Sequence, residues 1–260
     1  MMTTDKTFDE ATGAGGDEIR PVGRSPFRKP RDGLERVRML RYSVSMSADG
    51  FVAGPRQSEE HPLGVRGELL HAWMRELAVW REQAGLAGGV GNASTAVLER
   101  EDENVGALIM GRNMFGGHPG PWREPAWNGW WGEDPPFHLP VFVLTHYARP
   151  PLACEGGTSF EFVTSGIAAA LDRARDAAGG KDVVVSGGAG VAKQYLAAGL
   201  LDELLVHLVP VFLGDGVRLF DDPALAAVTL EQARAVEAPG VTHLYYRVAR
   251  AAAATRERSD

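Results

Sequence analysis

The chain has 260 residues, 44% apolar and 23% charged, with a formal net charge of −7. That is enough apolar content to bury a real core. The acidic balance argues against nucleic acid as the main partner, and no run approaches the roughly 20 apolar residues of a membrane-spanning helix. The one cysteine, Cys154, excludes an internal disulfide and a Cys-rich zinc site, so a cytoplasmic location is expected.

Residues 1–19 hold five acids, one lysine and three glycines, and residues 20–41 hold eight Arg or Lys with Pro21, Pro26 and Pro30. Neither composition can offset the entropy of ordering, so residues 1–37 are expected to form a disordered extension without a secretory leader. Met39 is an alternative translation start. From there Leu40, Tyr42, Val44 and Met46 alternate with Arg41, Ser43, Ser45 and Ser47, the period of a half-buried strand. Asp49-Gly50 reads as a turn, and Phe51 to Gly54 carries the chain across the sheet edge. Leu69, Leu70, Trp73, Leu77 and Trp80 predict one amphipathic helix over 67–84, broken by a glycine-rich stretch over 85–95. Short apolar strands follow at 107–110, 141–144 and 160–163. Ser165 is a candidate N-cap for a helix facing Ile167, Ala170, Leu171, Ala174 and Ala178, stopped by Gly179-Gly180. A buried-type strand at 183–185 leads through a glycine turn into a helix ending at Gly199. Residues 204–212 predict a long strand with a tight turn after it, and 241–248 the last strand. Strands alternating with helices predict an α/β domain over 38–250. No helix separates the closing strands, so the mostly parallel sheet is expected to be mixed, and 251–260 is expected to be a flexible tail.

Between a buried strand and a helix lies Ser186-Gly187-Gly188-Ala189-Gly190-Val191, where free N–H groups and the helix dipole suit a phosphate. No Gly-Lys-Ser/Thr follows, and the third glycine of a Rossmann fingerprint is absent, so a tight turn kept for packing stays open as a reading. Met110-Gly111-Arg112 puts glycine and then a cation at a second strand end. Thr145-His146, with Arg149 nearby, puts a hydroxyl, an imidazole and a guanidinium at a third. Ligands bind beyond the carboxyl ends of parallel strands, so three phosphate-compatible ends point to a dinucleotide.

In matching order, Ser45 to Gly54, Ile109 to Arg112, Phe142 to His146 and Ser186-Gly187-Gly188 resemble the dihydrofolate reductase-like superfamily. The segment Pro210 to Phe220, with Leu213-Gly214-Asp215-Gly216, is more similar to its bacterial branch, the riboflavin-biosynthesis reductase C-terminal domain family. The resemblance covers residues 40–248 and implies a single domain with a mixed, mostly parallel sheet flanked by helices. It also implies NADPH as cofactor, a homodimer through the late strands, and hydride transfer to a C=N or C=O of a small planar heterocycle (pterin-, flavin- or pyrimidine-like). Carried onto this chain, it sets Gly111 and Arg112 against the pyrophosphate and adenosine phosphates, and Thr145 and His146 beside the 2′-phosphate. Gly187, Gly188, Ala189, Gly190 and Val191 would cradle the pyrophosphate, with Ser186 before them and Gln194 on the next turn. Val52 and Ala53 would lie near the nicotinamide. Dihydrofolate reductases hold the pterin with an acid on the first helix, for which Glu68, Glu76 and Glu82 are the candidates. The same resemblance offers the 5-amino-6-(5-phosphoribosylamino)uracil reductase step of riboflavin biosynthesis as an alternative. There, Gly111-Arg112-Asn113-Met114-Phe115 replaces that enzyme's phosphate-handling Thr…Asp-Pro…Leu…Arg stretch. A non-catalytic nucleotide-binding protein is the third reading.

Asp49 is the candidate catalytic residue, orienting substrate or relaying a proton, unless Asp49-Gly50 serves only as a turn. Trp122, Trp127, Trp130, Trp131 and Phe137, interleaved with Gly and Pro, read as a long loop. That loop is either an aromatic lid or packing against the body or a partner. The 7 histidines include no i, i+4 pair with an acid, so no metal site is expected, and His207 reads as a strand residue with a satisfied ring.

Overall fold

Position in the sheet, and not local pattern alone, decides which side chains of the first strand are buried. The structure is a computed structural model that describes residues 38–58, 60–116, 120–123 and 127–249. The extension expected over 1–37 and the tail expected over 251–260 lie outside the described residues. β1 (Leu40–Ser47) begins as its alternation predicts, with Leu40 and Tyr42 buried. Its second half instead buries Ser45 and Ser47 and leaves Val44 and Met46 half-buried. β1 runs parallel to both β7 (Asp182–Gly187) and β8 (Glu203–Val209), which places it inside the sheet with both edges paired. Val44 fronts a cavity, while the serines find partners in the core. The Trp73 indole N–H donates to Ser45 Oγ at 3.4 Å and the Phe51 amide to Ser47 Oγ at 2.9 Å.

From β7 the sheet continues through β3 (Val105–Gly111), β4 (Pro140–Leu144) and β6 (Ser159–Val163), all parallel. Beyond β8 lie β11 (Val241–Ala249) and β10 (Thr229–Ala238), and the short β5 (Leu152–Ala153) closes the other edge, these pairings being antiparallel. The order β10-β11-β8-β1-β7-β3-β4-β6-β5 is the expected mixed, mostly parallel sheet. A separate ribbon pairs β2 (Phe51–Ala53) with β9 (Val217–Arg218). All the described residues fall in one compact unit, Glu35–Asp260.

One strand expectation needs correction, and one strand goes unpredicted. The strand predicted over 204–212 stops at Val209, because Pro210 has no N–H to offer and the chain turns back, Val211 N–H bonding Val209 O at 2.8 Å. β10 carries no clean apolar alternation: it is an edge strand, paired on one side, and a bulge between Gln232 and Arg234 shifts its register.

The helix predicted over 67–84 is three short pieces: a 3-10 turn (Gly67–His71), α1 (Ala72–Arg75) and α2 (Ala78–Gln83). Leu77 breaks it by adopting an extended backbone, which lets Ala78 N–H bond Val90 O at 3.0 Å and Val90 N–H bond Glu76 O at 2.8 Å. The glycine-rich stretch gives way to a helix that the pattern hides, α3 (Ala93–Asp102). Asn92 and Thr95 build its start, Asn92 Oδ1 accepting from Ser94 N–H at 2.8 Å and Thr95 Oγ1 from Asn92 N–H at 3.2 Å. α4 (Arg112–Phe115) follows β3 directly. α5 (Gly166–Ala177) and α6 (Ala189–Ala197) fall where expected, except that the Ser165 side chain makes no capping bond. α5 and α6 cover one face, where Leu171, Ala174, Tyr195 and Leu196 share a core with Leu40, Ile109, Val185 and Val206. On the other, Trp73 and Leu77 pack with Val209 and Val241, and Val97 with Leu205 and Tyr245.

Candidate active site

Three parallel strands end at the rim of one cavity of about 1190 Å³. β7 ends in Gly187, whose φ of +139° is a conformation only glycine adopts readily, and Gly188 begins α6. A Cβ at Gly188 or Gly190 would meet nothing within 4 Å, so space lies open over the first turn of that helix. Gly111 at the end of β3 serves another purpose. A Cβ there would sit 2.9 Å from Val191 Cγ2, so its absence lets β3 close against α6. β4 is followed by buried Thr145, whose Oγ1 accepts from Tyr147 N–H at 3.2 Å and fixes the turn that leaves His146 exposed.

Every residue expected at the cofactor lines this cavity: Val52, Ala53, Gly111, Arg112, Thr145, His146, Ser186, Gly187, Gly188, Ala189, Gly190, Val191 and Gln194. Gln194 Nε2 is tied to Gly190 O at 3.1 Å. The Arg112 guanidinium lies 3.6 Å above the Trp122 ring, and that of Arg149 lies 4.7 Å from the same ring. Burial, and then the neighbouring Arg149 charge, lower the Arg112 pKa from its ordinary value. Two cations sharing one indole favour an anion beside them. Arg149 does not itself line the cavity, and it donates to Trp127 O at 2.6 Å.

Asp49 lies off the cavity lining and takes the turn role. Its Oδ1 accepts from Ser47 Oγ–H at 2.6 Å and from Leu213 N–H at 3.1 Å, and its Oδ2 accepts from Gly214 N–H at 2.7 Å. The Ser47 bond first, and the backbone bonds with it, lower its pKa to about 2. The Trp-rich loop packs on the body: Trp122, Trp127, Trp131 and Phe137 join Phe115, Phe160 and Phe162 in a core cluster. Trp130 and Trp131 also reach the cavity wall.

Glu68, Glu76 and Glu82 are absent from the lining; the carboxylate there, among the described residues, is Glu101 on α3. His207 is indeed satisfied, its Nε2 lying 2.8 Å from Ser43 Oγ, yet it also lines the cavity beside Glu101. The signal that could have found Glu101 is the Asn92–Thr95 cap, which starts a helix long enough to bring it to the sheet.

Comparison with known proteins agrees with this architecture. A riboflavin biosynthesis protein from Shewanella sp. PV-4, so assigned provisionally, matches with a TM-score of 0.51 and 19% identity over 82% of this chain and 99% of its own. RibD of Acinetobacter baumannii matches with a TM-score of 0.49 and 14% identity, over 82% of this chain and 58% of its own. The riboflavin biosynthesis reductase Rib7 of Saccharomyces cerevisiae gives 0.46 and 15%, over 82% and 90%. No curated protein matches the sequence. The RibD C-terminal domain family matches residues 38–244, and the chain belongs to that family.

Proposed function

We propose that this chain is an NADPH-dependent reductase that transfers hydride to a C=N or C=O of a small planar heterocycle (pterin-, flavin- or pyrimidine-like). The observation that carries the reading is the convergence of the β3, β4 and β7 ends on one cavity, with open space over Gly188 and Gly190 and the Arg112 cation at its side. Family membership supports an oxidoreductase, and it favours 5-amino-6-(5-phosphoribosylamino)uracil as the second substrate reading. When bound, the reduced nicotinamide supplies the hydride. The chain supplies binding, orientation and water exclusion. The backbone of Gly187 through Val191, at the start of α6, would cradle the pyrophosphate, flanked by Ser186 and Gln194. Gly111 gives the close approach beside them. Arg112, Thr145 and His146 take the adenosine 2′-phosphate by charge-assisted bonds. Val52 and Ala53 form the wall against the nicotinamide, and Asp49 positions the 213–214 loop beside them. A cytoplasmic homodimer formed through the late strands is part of the same proposal.

The test is loss of reduced-nicotinamide absorbance when the protein is given NADPH and a panel of pterins, flavins, pyrimidinones and 5-amino-6-(5-phosphoribosylamino)uracil. Turnover on one of these is expected. Tight NADPH binding without turnover on any of them would leave the non-catalytic nucleotide-binding reading in its place.

A further inference from the structure

The cavity has a second wall that cofactor binding does not use. His207 on β8 lines it and is 4% exposed. Its Nε2 lies 2.8 Å from Ser43 Oγ and 3.2 Å from Glu101 Oε1. Its Nδ1 faces His243 Nδ1 at 2.7 Å, and His243 Nε2 lies 2.9 Å from Ser94 Oγ. Both imidazoles pack on the Trp73 ring, each centroid 5.0 Å away. His243 and Ser94 are buried, so the row Glu101–His207–His243–Ser94 begins at the cavity and ends in the core.

His207 Nε2 makes its hydrogen bond with Ser43 Oγ, and the Glu101 carboxylate 3.2 Å away favours a hydrogen on that nitrogen. The two Nδ1 atoms can bond only if one carries hydrogen and the other does not. Burial, and then the charge of His207, lower the His243 pKa to about 4, which makes His243 the neutral member. With His207 charged, its Nδ1 donates to His243, and His243 donates from Nε2 to Ser94. The groups facing His207 are Glu101 from α3, His243 from β11 and His71 from the 3-10 turn, the last disfavoured in its charged form by burial and then by His207 itself. Nearby Arg41 donates to the carbonyls of Arg100, Glu101 and Glu103.

We propose that His207, ion-paired to Glu101, is the proton donor to the hydride acceptor, and that His243 and Ser94 are positioning residues that hold its tautomer. The proposal rests on the reductase reading. In the step, the carbon of the C=N or C=O bond gains the hydride and the π pair moves to the heteroatom. The His207 Nε2 proton completes the new N–H or O–H. The nicotinamide is oxidised and the acceptor reduced, and His207 is left neutral with its proton on Nδ1. Glu101, whose side chain is 25% exposed, connects it to water for reprotonation. The substrate class that fits is a ring whose acceptor nitrogen or oxygen comes within hydrogen-bond reach of His207 Nε2.

Nitrogen-15 spectra of the imidazoles, taken on the protein alone across the range in which histidine titrates, test this without cofactor or acceptor. His207 is expected to carry hydrogen on both ring nitrogens and His243 on Nε2 alone. Glu101→Gln is expected to reduce the hydrogen occupancy at His207 Nε2, since the carboxylate favours the charged ring. A wild-type His207 Nε2 without hydrogen, or an occupancy that Glu101→Gln leaves unchanged, overturns the donor assignment. In turnover, Glu101→Gln and His207→Gln are each expected to lower kcat about a hundredfold while NADPH affinity stays within about twofold of wild type. Unchanged kcat in a folded Glu101→Gln protein also overturns it. Wild-type protein that binds no NADPH overturns the reductase reading itself, whatever the spectra show, so the two failures are told apart.

Discussion

Arg112 and Asp49 show how one sequence signal, a polar residue at a strand end, serves two ends. Arg112 stands over the Trp122 ring at the cavity, with Arg149 beside it. If it binds the 2′-phosphate, Arg112→Ala weakens NADPH by about 10- to 100-fold, the size of a lost charged hydrogen bond. NADH, which lacks that phosphate, should lose little. Calorimetric titration with each nucleotide measures the difference, and equal losses would move Arg112 off the 2′-phosphate. Asp49 instead holds a loop, and its carboxyl falls from the ordinary 3.8 to about 2. A carboxylate whose folded pKa is depressed stabilises the fold above its unfolded pKa and stops doing so as pH falls through the folded one. Asp49→Asn should therefore melt below wild type at neutral pH, with the gap closing between about pH 4 and about pH 2. A gap independent of pH would mean that the carboxylate charge does not hold the Leu213–Gly214 turn. Residue type and position were readable at both sites. Which one faces the cavity was not, because that depends on where residues 213 and 214 fold back.

At the scale of elements, the strand-to-helix junctions were legible because glycine leaves an unambiguous mark, yet the glycines do different work. Gly111→Ala drives a Cβ to 2.9 Å from Val191 Cγ2 and should destabilise the protein, read as a lower Tm. Gly190 sits in α6 with nothing within 4 Å of a built Cβ. Gly190→Ala should raise stability by about 0.5–1 kcal/mol through helix propensity while obstructing the nucleotide. A Gly190→Ala protein that is more stable and binds NADPH as before would remove the pyrophosphate from the first turn of α6. The helices on the opposite face were the least legible. Leu69 to Trp80 keeps a helical spacing across a real break, because the spacing records burial and not the extended backbone at Leu77. α3 has the reverse problem. Its Glu99, Arg100, Glu101 and Asp102 dilute any apolar stripe, and only its cap betrays it. That is why the one carboxylate on the cavity wall, among the described residues, was not legible in the sequence.

For the whole molecule, the ordered series of strand ends carried more than any one motif. Four scattered segments agreed on a fold because parallel strands deliver their carboxyl ends to one edge, and the structure brings them to a single cavity. The sheet's mixed character was legible from the missing helix before the last strand. Its β10 edge was not, since a bulged strand paired on one side keeps no clean period. The cavity positions expected for a cofactor were readable from backbone and glycine, whereas the wall of Ser43, Glu101 and His207 is assembled from β1, α3 and β8, far apart in sequence, and only tertiary packing joins them. The central claim is that the three strand ends bind a phosphorylated nicotinamide dinucleotide. Calorimetric titration of the wild-type protein with NADPH and, separately, with NADH tests it most directly. Saturable binding of NADPH with clear preference over NADH is the expected result, and failure to bind either nucleotide would contradict the account.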